Sequence, residues 1–168
     1  MILALDLGRF VGVAVGRVGE RPILSSREFP LDIGALGNAF SGFVWGLIRE
    51  HKPTRLAWER PFLNFARMDA QGELRTQRLY GEAFALETIA NQCGITTFSE
   101  RPQTVRKRVI GAGNAKEDQI LAFAHKAGLS PSNNHEADAY VVWCAAGGRR
   151  VEPGRSAKAR NEGVRRRA

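Results

Sequence analysis

The chain opens on a short apolar run, Ile2-Leu3-Ala4-Leu5, that ends at Asp6 and is broken by Gly8. Val11, Val13 and Val15 then alternate with smaller residues, the two-residue period of a strand, and residues 22–29 supply a third after the Gly19-Glu20-Arg21 turn. From Leu36 the period changes. Leu36, Ala39, Phe40, Phe43, Val44, Leu47 and Ile48 follow the three-four spacing of an amphipathic helix, which Pro53 closes. Arg55-Leu56-Ala57-Trp58-Glu59 reads as a buried strand stopped by Pro61. A polar loop, a helix over 74–91 ending before Gly94, and a fifth strand over 95–98 follow. Two helix starts mark the last third. Asn114 is followed three positions later by Glu117, and Asn133 by Glu136, each before an apolar run. Three meandering strands, then helix, strand, helix, strand, helix, helix predict an α/β (α+β) fold: a five-stranded mixed sheet with helices on both faces.

Composition narrows the class. A chain of 168 residues with 43% hydrophobic residues buries enough surface to fold as one domain without staples. Cys93 and Cys144 are far apart and have no Cys or His at metal-ligand spacing, which excludes a zinc ribbon and a disulfide scaffold. The start, Met1 to Asp6, carries no basic leader, and the apolar stretches 40–48 and 137–148 are too short to span a bilayer. A soluble protein of a reducing compartment, the cytoplasm, is expected. The net charge of +8 is unevenly placed. Residues 149–168 hold eight Lys/Arg and two Glu, a net of +6, and leave 17 basic and 15 acidic residues, a net of +2, to residues 1–148. A domain over 1–148 and a disordered basic tail over 149–168 are expected, the tail touching a polyanion such as nucleic acid.

Three acids are out of place on apolar elements. Asp6 and Glu59 end buried strands, and Asp138 lies in the last helix beside Ala137, Ala139 and Val141. Each alone has an ordinary reading: turn chemistry for Asp6, an ion pair with Arg60 or Arg55 for Glu59, back-bonding near a helix start for Asp138. Together they suit one or two hard cations, which stabilise both the attacking water and the leaving oxygen when a phosphodiester is cut in line. His135 is three residues before Asp138 and shares its helical face, whereas Glu136 should point elsewhere. No Ser or Cys is placed to act as a nucleophile. At least one of Arg106, Lys107 and Arg108 must face solvent, where it can hold a phosphate.

The ordered motifs carry a resemblance. Asp6-Leu7-Gly8, Glu59-Arg60-Pro61-Phe62, Tyr80-Gly81-Glu82-Ala83, Glu100-Arg101-Pro102, Gly111 to Glu117 and His135-Glu136-Ala137-Asp138-Ala139 follow the order of RuvC-type Holliday-junction resolvases, over residues 1–147. The resemblance implies a ribonuclease-H-like fold, a homodimer, Mg²⁺ or Mn²⁺ with two ions per site, and paired symmetric nicks in a four-way DNA junction. It places the catalytic and metal-binding positions on Asp6, Glu59, His135 and Asp138, the inserted aromatic on Phe62, and DNA contacts on Arg106, Lys107 and Lys116. Phe62 would then be an apolar wedge that unstacks a base step, against the ordinary reading of a core residue, with Phe65 as a competing candidate. There are departures. Most relatives have Asp where this chain has His135, and an imidazole suits Mn²⁺ better than Mg²⁺. Lys116 stands one place early, with Glu117 where Lys is frequent, and the loop between Phe62 and Leu79 is a few residues longer. Three rivals share parts of the pattern. An RNA-processing nuclease of the same fold also opens on a strand-borne acid. The actin and sugar-kinase superfamily has a similar first phosphate loop but needs two lobes. A junction-binding architectural protein would have no need of all three acids.

Overall fold

The computed structural model describes residues 1–62 and 70–148. The tail over 149–168, Phe65 and most of the loop after Phe62 lie outside the described residues. Five strands, β1 (Ile2–Asp6), β2 (Phe10–Gly16), β3 (Ile23–Glu28), β4 (Arg55–Glu59) and β5 (Thr96–Glu100), form one sheet in the order β3-β2-β1-β4-β5. β1, β2 and β3 pair antiparallel, while β4 lies parallel to β1 and β5 parallel to β4. The helices are α1 (Ile33–His51), α2 (Ala70–Cys93), α3 (Pro102–Val109), α4 (Glu117–Lys126) and α5 (Asn134–Trp143), the last running into a wider turn over Cys144–Gly148. The expected mixed sheet with helices on both faces is what forms. No helix among the described residues is long and apolar enough to cross a membrane.

The strand pattern divides the core in two. Leu3, Leu5, Val11, Val13, Val15, Leu56 and Trp58 point to one face and pack with Leu36, Phe40 and Val44 of α1 and Leu86 and Ile89 of α2. Ile2, Ala4, Ala14 and Ala57 point to the other, where α3, α4 and α5 supply Val105, Ile120, Ala137, Val141 and Trp143. The second face is made of small residues, and this lets α5 lie close against the middle of the sheet. At Gly12 the approach is closest: a Cβ there would fall 1.9 Å from the His135 carbonyl oxygen.

Four elements differ from the sequence reading. α3 is absent from it, because only Val105 and Val109 face the core in an eight-residue helix that is otherwise polar. α4 begins at Glu117 rather than after a cap at Asn114. Asn114 sits in the preceding turn, and the reciprocal bond runs from the Lys116 N–H to Gln119 Oε1 at 3.0 Å. α2 starts at Ala70, four residues early, and β5 runs over Thr96–Glu100. The second expected cap holds: the Asn133 side chain accepts from the Glu136 N–H at 3.1 Å and starts α5.

Candidate active site

Parallel pairing of β1 and β4, with Leu5 beside Trp58, brings the two strands' ends to one level. Asp6 and Glu59 are in phase with Ile2, Ala4 and Ala57, so both carboxylates emerge on the face that α5 covers. The first turns of α5 deliver His135 and Asp138 to the same place. His135 Nδ1 is 2.9 Å from Asp6 Oδ2, and its ring stacks on Phe10 at a centroid distance of 5.6 Å. Glu136 turns the other way and accepts from the Ser132 N–H (2.8 Å) and the Ser26 hydroxyl (3.1 Å), as the spacing anticipates.

The cation among these acids comes from α3. Arg106 places Nη2 3.3 Å from Asp138 Oδ1, Nε 4.0 Å from Glu59 Oε1, and Nη1 3.4 Å from the Ala115 carbonyl. The alternative partners proposed for Glu59 are engaged elsewhere: Arg55 donates to the Ala146 carbonyl and Arg60 to that of Ser99. Glu59 Oε1 and Arg106 Nε are both buried without a hydrogen bond.

Crowding of negative charge shows in the ionisation of the group. Burial, then the neighbouring Asp6, push Glu59 up to about 8 against the pull of Arg106. Burial and Asp6 likewise push Asp138 up to about 6. Asp6 is raised by burial, although His135 and Arg106 pull it down. His135 is raised chiefly by its hydrogen bond to Asp6. At neutral pH Glu59 holds a proton that an ordinary carboxylate would have lost.

The acids and His135 line one open cleft of about 2060 Å³, together with Arg60, Phe62, Arg75, Arg106, Lys116 and Glu117. Phe62 is 53% exposed on its wall, so the core reading of this residue does not hold. Lys116 is exposed at the start of α4. Lys107 is exposed on α3 and is not among the residues that line the cleft, and Arg108 pairs with Glu100 at 2.7 Å.

One acid escaped the sequence reading as a candidate. Glu82, only 1% exposed, pairs with Arg78 at 3.0 Å on the inner side of α2. Burial pushes it up to about 7; Arg78 and the backbone of Gly8 pull it down, while Asp6 raises it. It thus faces the turn that carries Asp6. Its signal was an acid four residues before Leu86 on the same helical face, a weaker mark than the apolar neighbours Ala137, Ala139 and Val141 that pick out Asp138.

No family model matches the chain. Two curated proteins do. The crossover junction endodeoxyribonuclease RuvC of Afipia carboxidovorans is 30% identical over 119 residues, 71% of this chain and 62% of the relative. That of Ruegeria pomeroyi is 31% identical over 98 residues, 57% and 56% of the two chains. Among solved structures, Thermus thermophilus RuvC superposes with a TM-score of 0.64 at 18% identity, covering 88% of this chain and 93% of the other. The same protein in complex with a Holliday junction substrate gives 0.67 at 19%, covering 86% and 90%. The chain is RuvC-like. The yeast mitochondrial Holliday junction resolvase Ydc2 extends the likeness of fold, with a TM-score of 0.58 at 12% identity over 88% of this chain and 76% of the other. This RuvC-like chain spans only about three-fifths of the length of the curated relatives it matches, 62% and 56%.

Proposed function

We propose that this chain is a metal-dependent, structure-specific DNA endonuclease that resolves four-way junctions by paired nicks. The observation that carries the reading is the convergence of Asp6, Glu59, His135 and Asp138 on one cleft of about 2060 Å³. Pockets for small molecules run to about 300–1,000 Å³, so this opening is the size of a polymer site. The RuvC names of the curated relatives, and the +8 charge of the chain, support DNA as that polymer.

The donor set fits a divalent cation. It consists of hard carboxylate oxygens and one imidazole, and one carboxylate oxygen, Glu59 Oε1, is buried with nothing to bond. Among the described residues no three of His, Cys, Asp and Glu are closed around one point, and Arg106 bridges two of the acids. Asp6, Glu59 and Asp138 are the residues that would hold one or two ions, Mg²⁺ or Mn²⁺, with His135 as a fourth ligand. Such an ion supplies charge stabilisation to the attacking water and the leaving oxygen of an in-line displacement. His135, hydrogen-bonded to Asp6 at 2.9 Å, is placed to hold or pass a proton at Nδ1. Arg60, Arg75 and Lys116 offer positive charge to phosphates along the cleft, and Phe62 an apolar ring to an opened base step.

Two nicks on opposed strands require two sites, and hence a homodimer. α2 supports this, because Tyr80 (43%) and Phe84 (74%) are exposed four residues apart on one side. Light scattering on full-length protein should give twice the chain mass, with or without junction DNA; a monomer in both conditions contradicts the dimer. The activity itself is tested with end-labelled four-way junction, fork, duplex and RNA substrates in Mg²⁺ and in Mn²⁺. Cleavage is expected on the junction above all others. Preferred cleavage of RNA would assign the same site to RNA processing instead. Phe62→Ala should lower junction cleavage while leaving the melting temperature near wild type; a large fall in melting temperature would return the ring to a packing role.

A further inference from the structure

We propose that Arg106 is a movable counter-charge, which occupies the cation position of the acid cluster and withdraws from it when a divalent cation binds. The inference rests on the reading of this cluster as a cation site.

Its basis is the quality of the guanidinium's contacts. A settled Arg–carboxylate pair makes parallel bonds of about 2.7–2.9 Å. The chain seats its other Arg–carboxylate pairs more closely: Arg9 meets Glu28 at 2.6 Å, Arg108 meets Glu100 at 2.7 Å, and Arg78 meets Glu82 at 3.0 Å. Arg106 is the exception. Its contacts are 3.3 Å to Asp138, 3.4 Å to the Ala115 carbonyl and 4.0 Å to Glu59. The last of these faces two buried atoms, Arg106 Nε and Glu59 Oε1, across a gap too long for a hydrogen bond, and neither has another partner. Two buried polar atoms left unbonded cost free energy that a better-seated pair would recover.

Seated so loosely, the guanidinium offsets the repulsion among the acids without filling the site as a ligand-bound cation would. It comes from α3, an element separate from the strands and α5 that supply the acids. Its side chain can therefore leave while Asp6, Glu59 and Asp138 stay in place. A divalent cation and Arg106 compete for the same carboxylate oxygens, so occupancy by one disfavours the other.

The test uses full-length protein and Mn²⁺ as the probe, at a pH above the value of about 8 to which Glu59 is pushed, where protons compete least. Calorimetric titration of wild type, Arg106→Gln and Asp138→Asn gives the three affinities. Arg106→Gln should bind Mn²⁺ roughly tenfold tighter than wild type, the worth of one charge-assisted hydrogen bond. Asp138→Asn should bind it more weakly. Equal or weaker binding by Arg106→Gln, beside weakened binding by Asp138→Asn, overturns the counter-charge and leaves the cation site standing. No binding by wild type, or wild-type binding by Asp138→Asn, overturns the site reading and the counter-charge with it. A second measurement needs no variant at all. In protein labelled with ¹⁵N-arginine, the assigned Arg106 side-chain signal should move during a Mg²⁺ titration and exchange faster with water. A signal that stays fixed while Mg²⁺ binds contradicts the proposal.

Discussion

Glu59 follows three buried residues, Leu56, Ala57 and Trp58, and ends up between two other acids and an ill-fitting arginine. Its folded value of about 8 lies far above the ordinary 4.5. The unfolded chain therefore gives up this proton first as pH rises. The stability it contributes is complete below about 4.5 and lost as pH climbs through about 8. Asp138, pushed to about 6, and His135, raised by Asp6, act in the same direction. Metal-free protein should thus become less stable between about pH 4.5 and 8. Glu59→Gln should remove much of that slope and be more stable than wild type above pH 8, by about 1 kcal/mol or more. Chemical unfolding across this range in chelator checks it; an unchanged slope in the variant would assign the effect to other groups. Residues of this kind were legible in the sequence, since an acid inside an apolar run needs no tertiary knowledge to look wrong. Arg106 was legible only as a cation, because its place among the acids depends on where α3 docks. Glu82 stands in the Tyr80-Gly81-Glu82-Ala83 motif without the apolar neighbours on both sides that mark Asp138, and its burial against Arg78 shows only once α2 docks on the sheet.

The elements divide by how strongly their pattern repeats. β1 and β4 were legible as short apolar runs ending in an acid, β2 by its alternation, α1 by three-four spacing and α5 by its Asn cap. α3 was not, since eight residues with two inward valines hold too few repeats to show a period. The start of α4 was misplaced because Asn favours a turn as readily as a cap, and Asn114 takes the turn. Gly12 is the consequential position that periodicity hid. Within Val11-Gly12-Val13-Ala14-Val15 it looks like any small residue of an alternating strand, yet it lies opposite Asp6 in the β1–β2 pairing and beneath the His135 backbone. Gly12→Ala would put a methyl 1.9 Å from the His135 carbonyl oxygen and 3.1 Å from the Glu136 nitrogen, so the start of α5 has to lift. The variant should lose stability by about 3 kcal/mol, the upper end of ordinary overpacking, and lose catalysis because His135 and Asp138 move together. A Gly12→Ala protein with wild-type melting temperature and nicking would show that α5 is less tightly seated than this contact implies.

At the scale of the whole molecule, the sheet is a device for bringing two strand ends and one helix start to the floor of a single cleft. Fold class and the order of elements along the chain follow from its apolar runs, whereas the sheet order β3-β2-β1-β4-β5 emerges only in the fold, where the acids stand at the ends of parallel β1 and β4. The cleft and the exposed side of α2 were less legible. Each depends on which surfaces remain uncovered after folding, and a sequence pattern marks apolar positions without saying what covers them. The central claim is that the acids on this cleft cut a branched DNA substrate. The most direct measurement is nick mapping on an end-labelled four-way junction in Mn²⁺ and Mg²⁺, for wild type, Asp6→Asn and Asp138→Asn, with junction binding followed by gel shift. Wild type should give two nicks at symmetric positions in opposed strands. Both variants should bind the junction near wild-type affinity and leave it uncut. Cleavage by both variants at rates close to wild type, or no cleavage of the junction by wild type with either ion, would contradict the account.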